Sequence, residues 1–256
     1  MDGVEGPDLV IDILRSKLSG FFDISEKTRM DFRDICGQPV RVAAGTAIVR
    51  NGEDYPGMYL IQEGWALRSR FLPEGTRQIV NTAMPGDVLC LNALLFDSSD
   101  FDISAKTDLL LYPIDPEHLR EVFTKDPNLA AALLWVSAHE ESILAERIVS
   151  LGRRSARMRT AHVLAEILSR MALVDELGER LLDLPLTQED LSDILGISVV
   201  YTNKTLRALQ REQVISFSKG RLTVHDRARL EHIAGFDAGY LHFTQIKSRP
   251  TRLDTV

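Results

Sequence analysis

The chain has 256 residues, 45% apolar and 26% charged, which excludes disorder and collagen-like repeats and fits one or two globular domains. No run of about 18 apolar residues occurs, so no transmembrane helix is expected, and the acidic start lacks a secretory signal's apolar core, which makes the cytoplasm the expected location. The net charge of −7 is uneven: residues 1–151 carry 14 Lys+Arg against 24 Asp+Glu, residues 152–229 carry 13 against 10, and the last 27 hold 3 of each. Contact with a polyanion therefore belongs in the C-terminal third.

Chemistry-bearing residues are sparse. Cys36 and Cys90 stand 54 positions apart without a CxxC partner, as expected of two reduced thiols. The six histidines are scattered, with no HxH or HExxH. No metal site, resident cofactor, or catalytic metal triad or nucleophile–base pair is expected, so the chain does not read as an enzyme.

Residues 8–35 show helical spacing at Leu9, Ile13, Leu14 and Leu18, with a second short helix starting near Ser25. From about 38 to 113 glycines recur at 45, 52, 64, 75 and 86, with β-rich pieces between them. Gaps of 7, 12, 11 and 11 residues predict short antiparallel strands in a small sandwich or barrel. Asp115-Pro116 and Asp126-Pro127 each predict a helix start, since Asp caps free N–H groups and proline lacks the donor that the first turn leaves unpaired.

The second of these helices is predicted to run from Pro127 to about Leu151, before a hinge at Gly152. Its apolar positions include Leu133, Val136, Ile143, Leu144, Ile148 and Leu151. Such a seam can pair with a copy of itself or pack on the chain's own β domain. A further helix follows the arginines at 153, 154, 157 and 159, and then a polar stretch.

Residues 186–215 carry the most specific pattern. Thr187 can cap a helix with Asp190 three residues on, Gly196 suits a sharp turn, and Ser198 can cap a second helix from Val199 to about Arg211. Two helices joined by such a turn make a helix-turn-helix. Thr202, Leu206 and Leu209 fall on one face of the second helix. Val200, Lys204, Arg207 and Arg211 fall on the other, with Asn203 at its border. Asn can read adenine, Lys or Arg guanine, and Val a thymine methyl in the major groove. The following VISFSKGRLTVHD predicts a β-hairpin wing with Lys219 and Arg221 at its tip and Gly220 in the turn.

Taken in order, these parts resemble the CRP/FNR family of bacterial transcription regulators over roughly residues 20–235. The likeness rests on Gly52-Glu53 with Met58-Tyr59-Leu60-Ile61 and Gly64, on Pro85-Gly86-Asp87 with Asn92-Ala93-Leu94, and on the helix-turn-helix with its wing. The resemblance implies an α+β architecture: a β-roll sensor with N-terminal helices over 1–126, a dimerisation helix and hinge over 127–152, a winged helix-turn-helix over 153–235, and a tail over 236–256. It implies a homodimer on near-palindromic double-stranded DNA, with RNA polymerase as a further partner. Base contacts are expected from Val199, Val200, Asn203, Lys204 and Arg207, foremost Asn203 and Lys204. Phosphate contacts are expected from Thr187, Gln188, Ser198, Tyr201, Lys219 and Arg221.

The departures are informative. Nucleotide-binding members of the family carry Gly-Glu and then Arg-Ser around the cyclic phosphate. Here the corresponding stretch is Cys90-Leu91-Asn92, and FDSSDFDISAKT contains no arginine. Asp97, Asp100 and Asp102 are expected around the phosphate position, where like charge opposes an anion, so cAMP is not the expected effector. The cysteine cluster of the iron–sulfur branch is absent, whereas a haem ligand such as His118 or His139 stays open. An alternative reading makes the roll a small-molecule or redox sensor, through an unknown effector or Cys90, that controls the DNA-binding domain. The last ten or so residues are expected to be disordered.

Overall fold

The computed structural model describes residues 12, 17, 26–174, 181–218 and 220–243. Helix α1 spans Glu26–Ile35; the expected apolar positions Leu9, Ile13, Leu14 and Leu18 lie outside the described residues. Eight strands follow: β1 Val40–Val42, β2 Ala47–Val49, β3 Met58–Glu63, β4 Ala66–Phe71, β5 Arg77–Ala83, β6 Val88–Leu89, β7 Asp102–Ala105 and β8 Leu109–Ile114. They form two antiparallel sheets in the orders β1-β8-β3-β6 and β2-β7-β4-β5.

Alternation along the strands sorts their side chains. Ile61, Leu109, Leu111, Ile103 and Val49 fill the roll, whereas Met58, Leu60, Tyr112 and Ile114 face outward onto helices. Gly64, at φ +88°, turns β3 into β4, and a Cβ there would lie 2.1 Å from the Asp108 carbonyl oxygen. No other residue fits that turn.

Helix α2, Pro116–Lys125, and helix α3, Pro127–Arg153, start at the two Asp-Pro signals. Asp115 and Asp126 each accept a backbone N–H two residues on. At 27 residues α3 is about 40 Å long. It continues through Gly152, and the helical run breaks instead at Arg154–Ser155. Ser155 caps helix α4, Ala156–Met171, by accepting from the Met158 N–H.

The inward face of α3 reads Leu129, Leu133, Val136, Glu140, Ile143, Arg147 and Ser150, alternating steps of four and three. Leu133, Val136 and Ile143, three of the expected dimer contacts, are therefore buried against their own chain. Leu144 and Leu151 are half-buried. Ile148 alone of the six is open, at 71% exposure. It belongs to a second stripe on the opposite side, Leu134, Ala138, Glu141, Ala145, Ile148 and Gly152, all exposed.

The remaining elements are strand β9 (Leu181–Asp183), helices α5 (Gln188–Leu195) and α6 (Val199–Arg211), strands β10 (Ile215–Ser218) and β11 (Arg221–Val224), and helix α7 (Arg227–Ala234). A third sheet has the order β10-β11-β9. Strand β9 comes from the stretch that had looked merely polar; pairing with β11, not its own pattern, makes it a strand. One apolar cluster joins Trp65, Leu67, Ile79 and Met84 of the roll to Leu164, Leu168, Leu191, Leu195 and Leu206.

After Gly235 the chain does not trail away. Leu241 is fully buried, Tyr240 Oη donates to Glu166 Oε2 at 2.9 Å, and the Phe243 ring lies 5.2 Å from that of His139. The last ten residues lie outside the described residues.

Candidate nucleic-acid interface

The two helices form where the cap signals stand. Thr187 Oγ1 accepts from the Asp190 N–H at 3.1 Å, and the Thr187 N–H donates to Asp190 Oδ2 at 2.8 Å. Gly196 ends α5 in the left-handed region at φ +62°, which favours glycine over any side chain. Ser198 caps α6 by accepting from the Tyr201 N–H at 3.3 Å.

Thr202, Leu206 and Leu209 are buried, so α6 is anchored through one face only. The other face is open. Val200 is 80% exposed, Lys204, Arg207 and Arg211 are exposed, and Asn203 is half-buried beside them. With Gln210 these residues line one surface concavity. Val199 and Tyr201 are exposed at the start of the helix, and Lys204 Nζ lies 5.7 Å from the centre of the Tyr201 ring.

The charges of this face stand apart from those around it. Arg157 and Arg229 pair with Glu212, Arg154 with Glu146, and Arg227 with Glu231. Among the described residues Lys204, Arg207 and Arg211 form no salt bridge, so their field is left for an external anion.

The remaining expected contacts fare differently. Gln188 is exposed at the start of α5. Thr187 is exposed, but its hydroxyl donates to Asp190 Oδ2 at 2.7 Å, which makes it a cap. Arg221 is exposed and donates to Asp183 Oδ1 at 2.9 Å, a surface pair of little energetic weight. Lys219 lies outside the described residues. Gln210, missed in the sequence because an amide at a helix end carries no motif, donates to the Phe217 carbonyl at 3.4 Å and ties α6 to the wing.

The roll grips the helix pair. Arg77 donates to Asp190 Oδ1 at 2.9 Å and to Asp193 Oδ2 at 2.6 Å, and Lys106 Nζ lies 2.5 Å from Asp190 Oδ2. Burial opposes ionisation of Asp190, but hydrogen bonds from Lys106 and Thr187 hold its carboxyl below the ordinary range. Gln78 Nε2 adds a bond to the Asp193 carbonyl at 2.6 Å. These contacts fix α5 without touching the open face of α6.

Within the roll a small cavity is lined by Tyr55, Arg68, Asn81, Cys90, Phe101 and, from α3, Glu140, among others. Its free volume of about 30 Å³ holds one or two waters. The acids expected to surround it do not: Asp97 and Asp100 are exposed, and Asp102 is half-buried outside the lining. Among the described residues Glu140 is the one carboxylate in the lining. Its Oε2 accepts from Arg68 Nη1 at 3.1 Å, and the Arg68 guanidinium lies 5.1 Å from the Phe101 ring centre. Burial outweighs the pull of Arg68 and leaves the Glu140 carboxyl above the ordinary range.

Cys90 is buried at φ +58°, and burial pushes its thiol up to about 12, as it does for Cys36. Neither supplies thiolate at neutral pH, which weighs against redox sensing at Cys90. His118 is exposed beside Asp115, and His139 stacks on Trp135 with ring centres 4.8 Å apart; neither lines this cavity.

Residues 39–126 match the cyclic nucleotide-binding domain family and residues 158–233 the Crp-like helix-turn-helix domain family. The chain is 30% identical over 199 residues to the transcriptional activator protein FnrL of Cereibacter sphaeroides, covering 76% of this chain and 79% of that protein. It is 26% identical over 198 residues to the nitrogen fixation regulation protein FixK of Bradyrhizobium diazoefficiens, covering 77% and 82%. The structure of FixK2 from Bradyrhizobium japonicum superposes with a TM-score of 0.70 at 24% identity, over 78% of this chain and 98% of that one, and shares the fold.

The chain therefore belongs to the CRP/FNR family, which is one of transcription regulators and not of enzymes. It is a DNA-binding regulator with a cyclic-nucleotide-binding-type sensor domain ahead of its helix-turn-helix. Among the described residues no helix is long and apolar enough to cross a membrane.

Proposed function

We propose that the protein acts in the cytoplasm as a homodimer on a near-palindromic operator, each α6 lying in the major groove of one half-site. The open face of α6, with three cations around Val200 and Asn203 that form no salt bridge among the described residues, carries this reading. Asn203 and Lys204 read bases, Val200 contacts a thymine methyl, and Gln188, Ser198, Tyr201 and Arg221 hold phosphates. Two such helices about one DNA turn apart, roughly 34 Å, match half-sites on one side of the duplex. A domain with so small a positive excess binds weakly alone, and linking two copies raises the effective concentration of the second contact.

The long helices pair through the outward stripe of α3. Leu134, Ala138, Ala145 and Ile148 stand at heptad spacing, as a two-stranded seam requires, and Glu141 interrupts the seam where like charges from two copies would meet. The working division is a sensor over 1–126, the pairing helix over 127–152 and the DNA reader over 153–235. Relatives named as activators support recruitment of RNA polymerase.

Footprinting on the gene's own upstream region tests the reading. Wild-type protection of a near-palindrome, shifted to higher protein concentration in Lys204→Ala and Arg207→Ala, is expected. Protection unchanged by both substitutions overturns it.

A further inference from the structure

We infer that Glu140 is a built-in ligand of the sensor: a carboxylate supplied by α3 enters the cavity of the roll and takes the Arg68 guanidinium, so the regulator holds its working state without an external anionic effector. Three observations meet here. The cavity that Glu140 enters lies inside the domain matched to cyclic nucleotide binding. Among the described residues its one guanidinium is Arg68, which lies over the Phe101 ring and donates to Glu140. The free volume left is that of a water or two, so ligand and site come from the same chain.

The connection runs onward along one helix face. Glu140 and Arg147 stand seven residues apart, two turns of α3, and Arg147 Nη2 donates to Glu166 Oε1 of α4 at 3.0 Å. The residue that closes the sensor cavity and the residue that seats the DNA-binding domain thus belong to one rigid rod. Arg68 also keeps unused capacity, since among the described residues its buried Nε meets no acceptor. Removing the Glu140 side chain would let a free carboxylate take two donors of that guanidinium, the geometry Arg favours.

This predicts chemical rescue. In the full chain, Glu140→Ala should lower the melting temperature, and sodium acetate should restore it saturably while sodium chloride at equal ionic strength does not. The wild type and the double variant Arg68→Met/Glu140→Ala should show no acetate-specific shift. Cyclic AMP should not shift the wild type. Absence of an acetate effect on Glu140→Ala, or a shift of the wild type by acetate or cyclic AMP, overturns the inference.

If Glu140→Ala does not fold, the exchanged pair Arg68→Glu/Glu140→Arg serves instead; it should fold, and its failure to do so counts against the pair as a unit. The coupling to DNA rests on the function proposed above. Operator affinity should fall about tenfold in Glu140→Ala and return with acetate. Recovery of melting temperature alone overturns the coupling. Melting needs no DNA, so a wild type that binds no operator sinks the proposed function and leaves the rescue test standing.

Discussion

Arg147 and Glu166 form a buried ion pair at 3.0 Å between α3 and α4, and Tyr240 holds the second carboxylate oxygen at 2.9 Å from beyond the winged helix. Three segments thus converge on one carboxylate. Removing one partner of a buried pair strands the other charge, at a cost of about 3–5 kcal/mol. Glu166→Ala should lose stability of that order in urea unfolding, whereas Tyr240→Phe, which removes one bond to a charged group, should lose about 1.5–3 kcal/mol. Ending the chain after Gly235 should cost at least as much as Tyr240→Phe, since Leu241 also leaves the core; a truncated protein as stable as wild type would show that this segment is dispensable.

The reading face separates two kinds of cation. Replacing a phosphate-binding cation should reduce the slope of log affinity against log salt by about 0.9 and weaken all sequences alike. Loss of a base contact should relax preference at one position, worth about 1–3 kcal/mol. Lys204→Ala is expected to relax sequence preference, as selection from randomised half-sites would reveal. Thr187→Ala should instead lower stability by about 1 kcal/mol through loss of the cap and leave the salt slope unchanged.

The two stripes of α3 give opposite outcomes. Leu134→Glu and Ile148→Glu should dissociate the dimer in sedimentation while the monomer stays folded. Glu141→Leu should tighten it, because a carboxylate leaves an apolar seam. Ile143→Ala, on the inward face, should cost about 2–5 kcal/mol of folding stability.

Acid should destabilise the fold through two histidines. Burial, first of all, pushes His139 and His162 down to about 4. His139 faces Arg170, Asp87, Lys17 and Glu166, and His162 faces Arg154, Glu166, Glu146 and Arg147. Each has a folded value below that of the unfolded chain, about 6.5, so the unfolded state binds more protons between the two. Their contribution is complete above about pH 6.5 and is lost as pH falls towards 4. Urea midpoints measured from pH 7 to 4.5 should fall, with a shallower slope in His139→Phe.

Local signals carried much of this in the sequence. Asp-Pro pairs, Ser198 and the Thr187–Asp190 box announced helix starts that the structure contains, because caps act within four residues. The exposed face of α6 followed from helical periodicity alone. What failed depended on distant partners. The stripe at Leu133, Val136 and Ile143 is as apolar as a dimer seam, and only the roll packed beneath it shows that it faces inward. Strand β9 needed β11, the segment after Gly235 needed α3, and Arg68 reaches Glu140 across 72 positions.

The apolar cluster that runs from Trp65, Leu67, Ile79 and Met84 of the roll into α4 and α5 has a thermodynamic consequence. Any swing of the winged helix away from its own roll would wet that surface, and newly wetted apolar area raises heat capacity. Calorimetric titration with operator DNA at several temperatures would therefore report whether the two halves part company on binding, through a positive heat-capacity contribution set against the negative one from the interface itself.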